Sequence, residues 1–140
     1  IKKEKGHIFV MMTDGELDVG TTWESALIAT HYKLDNLVVV ADLNGLQAMG
    51  KVKDVLNLEP LAEKWKALGW HVQEIDGHNF KQIIKALSPV SLSKKKPKII
   101  LARTIKGKGV SFMEGDNIYH YKAPSEKEYK QALKELESNG

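Results

Sequence analysis

Hydrophobic residues in this chain gather in short runs that alternate with longer segments of helical periodicity. Two runs, His7–Met12 and Leu37–Leu43, are largely apolar, which is typical of strands buried in a parallel sheet. His71–Ile75 and Pro97–Ala102 are shorter runs of the same kind. The pattern therefore predicts four strands, separated by connections that are long enough for helices.

Helical segments lie between and after these runs. The first extends from about Thr22 to Leu34. The second extends from about Leu58 to Leu68, where Gly69 is placed to act as a C-terminal cap. The predicted apolar face of the first helix consists of Trp23, Ala26, Leu27, Thr30 and Leu34.

A third helix is predicted from Asn79, as its cap, to about Leu87, and Ser125 can cap a final charged helix. The predicted apolar face of the third helix consists of Phe80, Ile83, Ile84 and Leu87. Because strands and helices alternate throughout, we predict an α/β fold with a mostly parallel sheet and helices on both faces. Residues 1–140 are expected to form a single domain without internal repeats.

Composition narrows the class of protein. The chain of 140 residues has room for one hydrophobic core, and it contains no apolar run long enough to cross a membrane. It has no cysteine, which excludes disulfides and thiolate metal sites and fits a reducing cytosol, so we expect a cytoplasmic location. Ile1–Lys5 resembles neither a signal peptide nor a transit peptide. We expect the chain to begin partway through a longer polypeptide.

The net charge of +3 is too small to indicate nucleic-acid binding by itself. The local basic clusters are Lys94–Lys96 and Lys106–Lys108, and aromatic residues are not interleaved with either of them. A solvated loop ahead of Pro97 is the favoured interpretation of the first cluster. We expect neither nucleic acid nor a membrane among the partners.

The most informative polar residues are Asp14 and Asn44, which close the first two strand runs. In a right-handed βαβ unit these positions can lie side by side at the carboxyl edge of the sheet. Carboxylate and carboxamide oxygens suit Mg²⁺ or Ca²⁺, and the N-terminus of the following helix suits a phosphate. Gly15 and Gly20 would let the backbone approach a ligand closely. Asp-Gly and Asn-Gly are also ordinary turn dipeptides, and spacing alone leaves both interpretations open.

The sequence motifs along the chain resemble those of the transketolase family. The thiamine diphosphate motif of that family runs from a Gly-Asp-Gly through roughly thirty residues to an Asn. The similar segments, in order, are Asp14–Leu17, Gly20, Trp23–Ala26, Ala29, His31, Lys33–Leu37, Asn44–Gly50, Asp76–His78, Ala102–Gly109, Met113–Glu114 and His120–Pro124. The resemblance covers nearly the whole chain. It implies the thiamine diphosphate-binding fold and identifies the chain as the C-terminal part of a transketolase-like diphosphate-binding domain, with the upstream part apparently missing.

The resemblance implies a set of ligands for the cofactor's metal ion. Asp14, Asn44 and the backbone carbonyl of Leu46 would bind Mg²⁺, with Ca²⁺ as an alternative, and this ion would bridge the diphosphate of thiamine diphosphate. Gly15 would lie against that diphosphate, and Asn44 would contact both metal and cofactor. Hard oxygen donors of this kind are the ligands that such cations prefer.

Other residues fall on family positions near the reacting centre. Lys106 and His120 would contact the cofactor or face the centre from their loops, where a lysine can neutralise phosphate charge and a histidine can transfer protons. Glu24 matches an acidic position of the family's interface network, and His120 and Glu24 are the catalytic candidates. His78, after a strand end, is a weaker candidate for lining the cleft.

The chain departs from the family pattern beside these residues. Thr13 replaces the first glycine of the motif, and Val19 replaces the usual glutamate that, in transketolases, pairs with the catalytic glutamate of the partner domain. Tyr119 and Tyr121 flank His120 where the family commonly shows Trp and Gly. These changes put the efficiency, the communication between sites and the natural substrate in doubt.

The resemblance therefore implies part of an enzyme that moves a two-carbon ketol unit from a ketose to an aldose, with sugar phosphates as substrates. Its activity would require a pyrimidine-binding domain or partner subunit, in a homodimer or a heterotetramer. Two alternatives stay open. One is a cofactor-impaired scaffold or regulatory subunit, motivated by the residues at positions 13 and 19. The other is a C–C bond-forming enzyme that uses another acceptor in a specialised pathway.

Overall fold

The computed structural model describes residues 6–88 and 95–138. Its main sheet has four strands, all parallel, in the order β1-β2-β6-β5, and β3 and β4 form a small antiparallel hairpin. The strands are β1 Ile8–Thr13, β2 Leu37–Leu43, β3 Leu46–Gln47, β4 Gly50–Lys51, β5 His71–Asp76 and β6 Lys98–Arg103. The predicted parallel α/β sheet is confirmed. Residues 1–5 and Lys94, which the sequence analysis discussed, lie outside the described residues.

Helices cover both faces of the sheet, as predicted. They are α1 Gly20–His31, α2 Val52–Val55, α3 Leu61–Ala67, α4 Phe80–Leu87 and α5 Glu126–Ser138, with 3-10 helices at Gly15–Asp18 and Asn117–His120. Residues of α1 and α3 pack in one buried cluster with Val39, Ala41 and Leu101, whereas α4 packs in a second cluster with Val38 and Ile100. In the described part of the chain no helix is long and apolar enough to span a membrane.

The position of α1 corrects its predicted apolar face. Ala26 and Ala29 are 2% and 3% exposed, but Leu27, predicted to be in the core, is 56% exposed. The buried stripe is thus rotated toward the two alanines, whose small side chains let the helix lie close to the sheet. The helix also ends at His31, before the predicted Leu34, because Lys33 adopts a left-handed φ of 54°.

A similar correction applies to α4. Ala86 is fully buried, with Ile83 and Leu87 partly buried beside it, whereas the predicted core residues Phe80 and Ile84 are 77% and 69% exposed. The sheet therefore contacts positions 83, 86 and 87, which share one helical face. The predicted cap is confirmed, since the Asn79 side chain accepts a hydrogen bond from the Gln82 amide at 3.1 Å.

The predicted cap at the end of the second helix is confirmed as well. Gly69 has a φ of +89°, and its amide donates to the carbonyl of Lys66. The indole of Trp70 then contacts the Trp65 ring edge to face at 4.9 Å and donates to the carbonyl of Ala26 at 3.0 Å. These contacts join α1 and α3 over one face of the sheet.

Strand β1 forms as predicted but is exposed. It is hydrogen-bonded to β2, and in the described part of the chain it lies at the edge of the sheet. Ile8, Phe9 and Met11 are each more than half exposed. An edge strand with apolar residues on both faces is a surface that other protein segments commonly cover.

Candidate functional site

The carboxylate of Asp14 joins the ends of the first two strands. Its Oδ2 accepts hydrogen bonds from the backbone amides of Asn44 and Gly45, each at 2.9 Å. Parallel pairing of Thr13 with Asp42 brings these ends together, since Asp14 and Asn44 each directly follow the last residue of their strand. The structure thus places Asp14 and Asn44 side by side, as the strand pattern predicted.

A short 3-10 helix fixes the backbone on the other side of Asp14. The carbonyl of Asp14 accepts from the Leu17 amide at 3.2 Å, and the Glu16 carboxylate accepts from the Thr13 amide at 2.9 Å. The Trp23 indole donates to the carbonyl of Leu17 at 2.9 Å. Because of this extra turn, α1 begins six residues after Asp14, and the backbone directly after Asp14 belongs to the 3-10 helix.

Burial determines the electrostatics of Asp14, whose side chain is only 5% exposed. Burial raises the pKa of this carboxyl above its usual value, and the charge of Asp42 acts in the same direction. The amides of Gly45 and Asn44 and the charge of Arg103 oppose that rise. A buried carboxylate of this kind is a position where a bound cation would favour the charged form.

Asn44 turns its side chain into the loop that follows β2. Its Oδ1 accepts a hydrogen bond from the Leu46 amide at 3.0 Å. Gly45 has a φ of +76°, and its carbonyl accepts from Val52 at 3.0 Å, which closes the β3–β4 hairpin. An amide oxygen has two lone pairs, so one remains for a further ligand.

A cavity of about 370 Å³ lies beside Asp14 and Asn44. Arg103, which lines it, donates to Glu59 at 3.2 Å and to Glu74 at 3.3 Å. All three side chains are about half exposed, so these ion pairs stabilise the fold only weakly. Sequence reasoning missed this trio, because its members come from three separate segments without a common motif.

Lys106 is half-buried and begins a closed turn over residues 106–109. The Gly115 amide donates to the Lys106 carbonyl at 2.9 Å, and a side chain at Gly107 would collide with the backbone of Met113. Both Gly107 and Gly109 have positive φ angles, which glycine adopts at little cost. The glycines thus form a defined turn around the lysine.

His78 lies at the base of that turn. Its Nε2 accepts a hydrogen bond from the Ile105 amide at 2.8 Å, so in the neutral ring the proton is on Nδ1. The His78 amide donates to Asp76 at 2.9 Å. The geometry gives this histidine a structural role in the described chain, holding the start of the Lys106 turn.

His120 is exposed and ends the 3-10 helix that begins at Asn117. The amide side chain of Asn117 donates to the carbonyl of Ala48 at 3.2 Å, which ties this helix to the hairpin after Asn44. Asp116 caps the helix, accepting from the Ile118 amide at 2.9 Å. The chain thereby returns, more than seventy residues later in sequence, to the neighbourhood of the strand ends.

Glu24 lies elsewhere, on the exposed side of α1 with Leu27 and Ile28, which are both 56% exposed. Within residues 6–88 and 95–138, no hydrogen bond or ion pair joins Glu24 to Asp14 or His120. Val19, at the start of α1, is also exposed. The predicted catalytic role of Glu24 at an interface with another domain stays a prediction.

Two buried amides near the hairpin were not singled out from the sequence. Gln47 is 9% exposed, and its Nε2 has no hydrogen-bond partner among the described residues. The Oδ1 of Asn117 is likewise buried without a partner within that part of the chain. Since such groups cost free energy when they are unpaired, the hairpin region fits a polar ligand.

Comparison with known proteins finds a matching family and several similar proteins. The family profile described as "Transketolase, thiamine diphosphate binding domain" matches residues 2–139. A 6-deoxy-6-sulfo-D-fructose transketolase subunit from Clostridium sp. is 44% identical over 133 residues, covering 95% of this chain and 48% of that protein. An apulose-4-phosphate transketolase subunit from Actinobacillus succinogenes is 42% identical, covering 94% and 48%. The chain spans about half the length of these relatives.

A solved structure shows the same similarity in three dimensions. The transketolase of Campylobacter jejuni superposes with a TM-score of 0.86 at 31% sequence identity. The superposition covers 95% of this chain and 21% of the larger protein. Nearly all of this chain therefore has a structural counterpart within that enzyme.

Proposed function

Because this chain belongs to the transketolase family, as a thiamine diphosphate-binding domain, we propose that it forms the diphosphate-binding part of a transketolase-like transferase. The reaction would move a two-carbon ketol unit from a ketose to an aldose. The observation that supports this most directly is the contact between Asp14 and the Asn44–Gly45 backbone at the carboxyl edge of the sheet. Ligands of open parallel sheets bind at this edge.

The donor set fits a hard divalent cation. Asp14 uses Oδ2 for two backbone amides and keeps Oδ1 as a ligand, and Asn44 keeps one lone pair. With the carbonyl of Leu46, these groups would hold Mg²⁺, or Ca²⁺ in its place, together with the diphosphate. When bound, thiamine diphosphate supplies the nucleophilic carbon and the electron sink for C–C bond cleavage.

The remaining site residues would bind the diphosphate and orient the substrate. A Cβ at Gly15 would meet no protein atom within 4 Å, so this open backbone leaves room for a phosphate. Lys106, positioned by its closed turn, would neutralise phosphate charge, and His120 would donate or accept a proton near the substrate. Glu24 would act at the interface with the partner domain.

The chain holds only part of such a site. Relatives twice its length are named as transketolase subunits, which supports a partner that supplies a pyrimidine-binding domain. We propose a homodimer or heterotetramer that acts on sugar phosphates in the cytoplasm. The relatives named for 6-deoxy-6-sulfo-D-fructose and apulose 4-phosphate also support the alternative of a C–C bond-forming enzyme in a specialised pathway.

A second candidate function is a scaffold or regulatory subunit that does not bind the cofactor productively. Val19, 49% exposed at the start of α1, is the observation that favours it, because valine cannot form the acidic interface pair of the family. Thr13 adds a β-branched side chain beside Asp14, where the family has glycine.

Calorimetry separates the two candidates. The chain, reconstituted with its pyrimidine-binding partner, is titrated with thiamine diphosphate in the presence of Mg²⁺. The enzyme proposal predicts binding that is lost in Asp14→Ala and kept in Asp35→Ala, a control on the opposite edge of the sheet. Absence of binding to the reconstituted wild type would reject the enzyme proposal and favour the scaffold.

A further inference from the structure

The hydroxyl group of Tyr119 ties the His120 segment to the final helix. Tyr119, directly before His120, donates a hydrogen bond to Glu128 Oε1 on α5 at 2.9 Å. The hydroxyl group is the atom through which this side chain contacts α5.

The same carboxylate holds the residues on the other side of His120. Lys122 lies 3.4 Å from Glu128 Oε1, and the Ser125 amide donates to Oε2 at 2.7 Å. The Ser125 hydroxyl accepts from the Glu128 amide at 3.3 Å, which completes a capping box at the start of α5 and confirms the predicted cap. Glu128 thus contacts residues on both sides of His120.

The ring of Tyr119 is fixed as well as its hydroxyl. Phe112 contacts it edge to face at 5.6 Å between ring centroids, and Lys122 Nζ lies 5.4 Å from the ring centre. Both contacts restrict the ring to one orientation. Rotation of the segment around His120 would therefore break contacts to Phe112, Lys122 and Glu128 together.

The final helix is itself fixed to the loop after Lys106. The amide and the hydroxyl of Ser111 donate to Glu135 at 2.6 and 2.8 Å. A side chain at Gly109 would lie 3.1 Å from Leu136, so the loop passes close to the helix. As α5 has no buried residue, polar contacts of this kind supply much of its attachment.

These contacts form a path from α5 to the β3–β4 hairpin that follows Asn44. Glu128 holds Tyr119, and Asn117 on the same 3-10 helix donates to the carbonyl of Ala48 in the hairpin that follows Asn44. We propose that Tyr119 and Glu128 are positioning residues, which together set where the His120 ring lies relative to the Asn44 hairpin. The inference rests on the proposed function of His120 as a group near the substrate.

The first test measures the order of the segment without any activity. Amide hydrogen exchange is followed by NMR in the full chain for Tyr121 and Lys122, whose amides donate to the Ile118 carbonyl. We expect Tyr119→Phe and Glu128→Gln to speed exchange roughly three- to tenfold, as loss of one hydrogen bond predicts. Glu126→Gln, which removes only an exposed pair with Lys130, is the control and should leave exchange unchanged.

The double variant Tyr119→Phe, Glu128→Gln makes the test sharper. If the two groups act through one hydrogen bond, the double variant exchanges no faster than the faster single variant, within about twofold. Multiplied effects, or single variants that exchange like the wild type, would overturn the positioning proposal. Protection of the β2 amides checks that the sheet stays folded in each variant.

The second test uses the enzyme reconstituted with its partner. We expect Tyr119→Phe to lower kcat about tenfold while the KM for thiamine diphosphate changes by less than about twofold, because the metal ligands are untouched. An equal change in both constants, or none in kcat, would overturn the positioning role. An inactive wild-type complex would instead reject the proposed function, and the exchange measurement would still decide whether Tyr119 and Glu128 order the segment.

Discussion

The hydroxyl group of Thr104, directly after β6, donates a hydrogen bond to the carboxylate of Asp42 on β2. This side-chain bond joins two neighbouring strands at the edge where the candidate site lies. The Thr104 amide also donates to the carbonyl of Leu43 at 3.1 Å. We expect Thr104→Val to lower the free energy of unfolding by about 1–2 kcal/mol, since it leaves a half-buried carboxylate without this donor.

Thr104→Ser is the matched control because it keeps the hydroxyl group. Urea denaturation of both variants measures the difference directly. Equal losses in the two variants would show that the methyl group of Thr104, against which Gly77 packs, contributes as much as its hydroxyl group and would contradict this prediction.

Alanine substitutions at Gly69 and Gly115 compare the cost of a steric collision with the cost of backbone strain alone. Both have positive φ angles, but a side chain at Gly69 would lie 2.8 Å from the Thr30 methyl group, whereas no atom lies within 4 Å of one at Gly115. We expect Gly69→Ala to destabilise the fold by about 2–3 kcal/mol and Gly115→Ala by about 1 kcal/mol. Thermal denaturation would contradict this geometry if the two costs were equal.

Gly15 tests the binding site without disturbing the fold. The position has an ordinary φ angle and open space around it, so Gly15→Ala should leave the melting temperature of the chain within about 2 °C of the wild type. If the backbone lies against a diphosphate, the added methyl group should weaken thiamine diphosphate binding to the reconstituted enzyme about tenfold or more. Unchanged affinity would place the diphosphate elsewhere.

The carboxyl of Glu128 gives a prediction for acid pH. Hydrogen bonds from Ser125, then from Tyr119, lower the pKa of this group from 4.5 to about 2. A carboxyl with a lowered pKa stabilises the folded chain above 4.5, and that contribution disappears as the pH falls from 4.5 through about 2. The stability difference between wild type and Glu128→Gln should therefore shrink over this range, as urea titrations at several pH values would measure.

Glu126→Gln is again the control for that titration, because Glu126 is exposed and pairs only with Lys130 among its described neighbours. Its difference from the wild type should stay small throughout. A difference for Glu128→Gln that is constant between pH 5 and about 2 would contradict the assignment.

The outer face of α4 offers a direct test of how this helix is oriented. Phe80 is 77% exposed, so Phe80→Gln should change stability by less than about 0.5 kcal/mol. Ala86 is fully buried, so Ala86→Leu should cost about 1–3 kcal/mol through overpacking. Chemical denaturation of the two variants would refute this orientation if Phe80→Gln proved the more costly.

The sequence predicted the strands and helices better than it predicted which face of each helix is buried. Strand runs, the caps at Asn79 and Ser125, and the end at Gly69 depend on local chemistry, and the structure confirms them. The buried faces of α1 and α4 depend on how close each helix lies to the sheet. Hydrophobicity favoured Leu27 and Ile84, which are exposed, whereas Ala29 and Ala86, which were not predicted, are buried together with the predicted Ala26.

The sequence likewise predicted one part of the candidate site and not the other. Parallel strands must end at a common edge, so the approach of Asp14 to Asn44 followed from the strand pattern. The contacts of Tyr119 with Glu128, and of His78 with Ile105, join segments whose separation along the chain gives no periodic signal. Only the folded chain shows them.

The attachment of α5 through polar contacts has a consequence for how the two parts of the site respond to solution conditions. Asp14 is buried, and the backbone amides of Asn44 and Gly45 hold its carboxylate, whereas the residues around His120 are held by an ion pair and by hydrogen bonds nearer the surface. Dissolved salt weakens exposed charge pairs much more than buried contacts, with a screening length of about 10 Å at 0.1 M. Rising ionic strength should therefore loosen the histidine segment well before it disturbs the carboxylate, so that a salt titration resolves one part from the other.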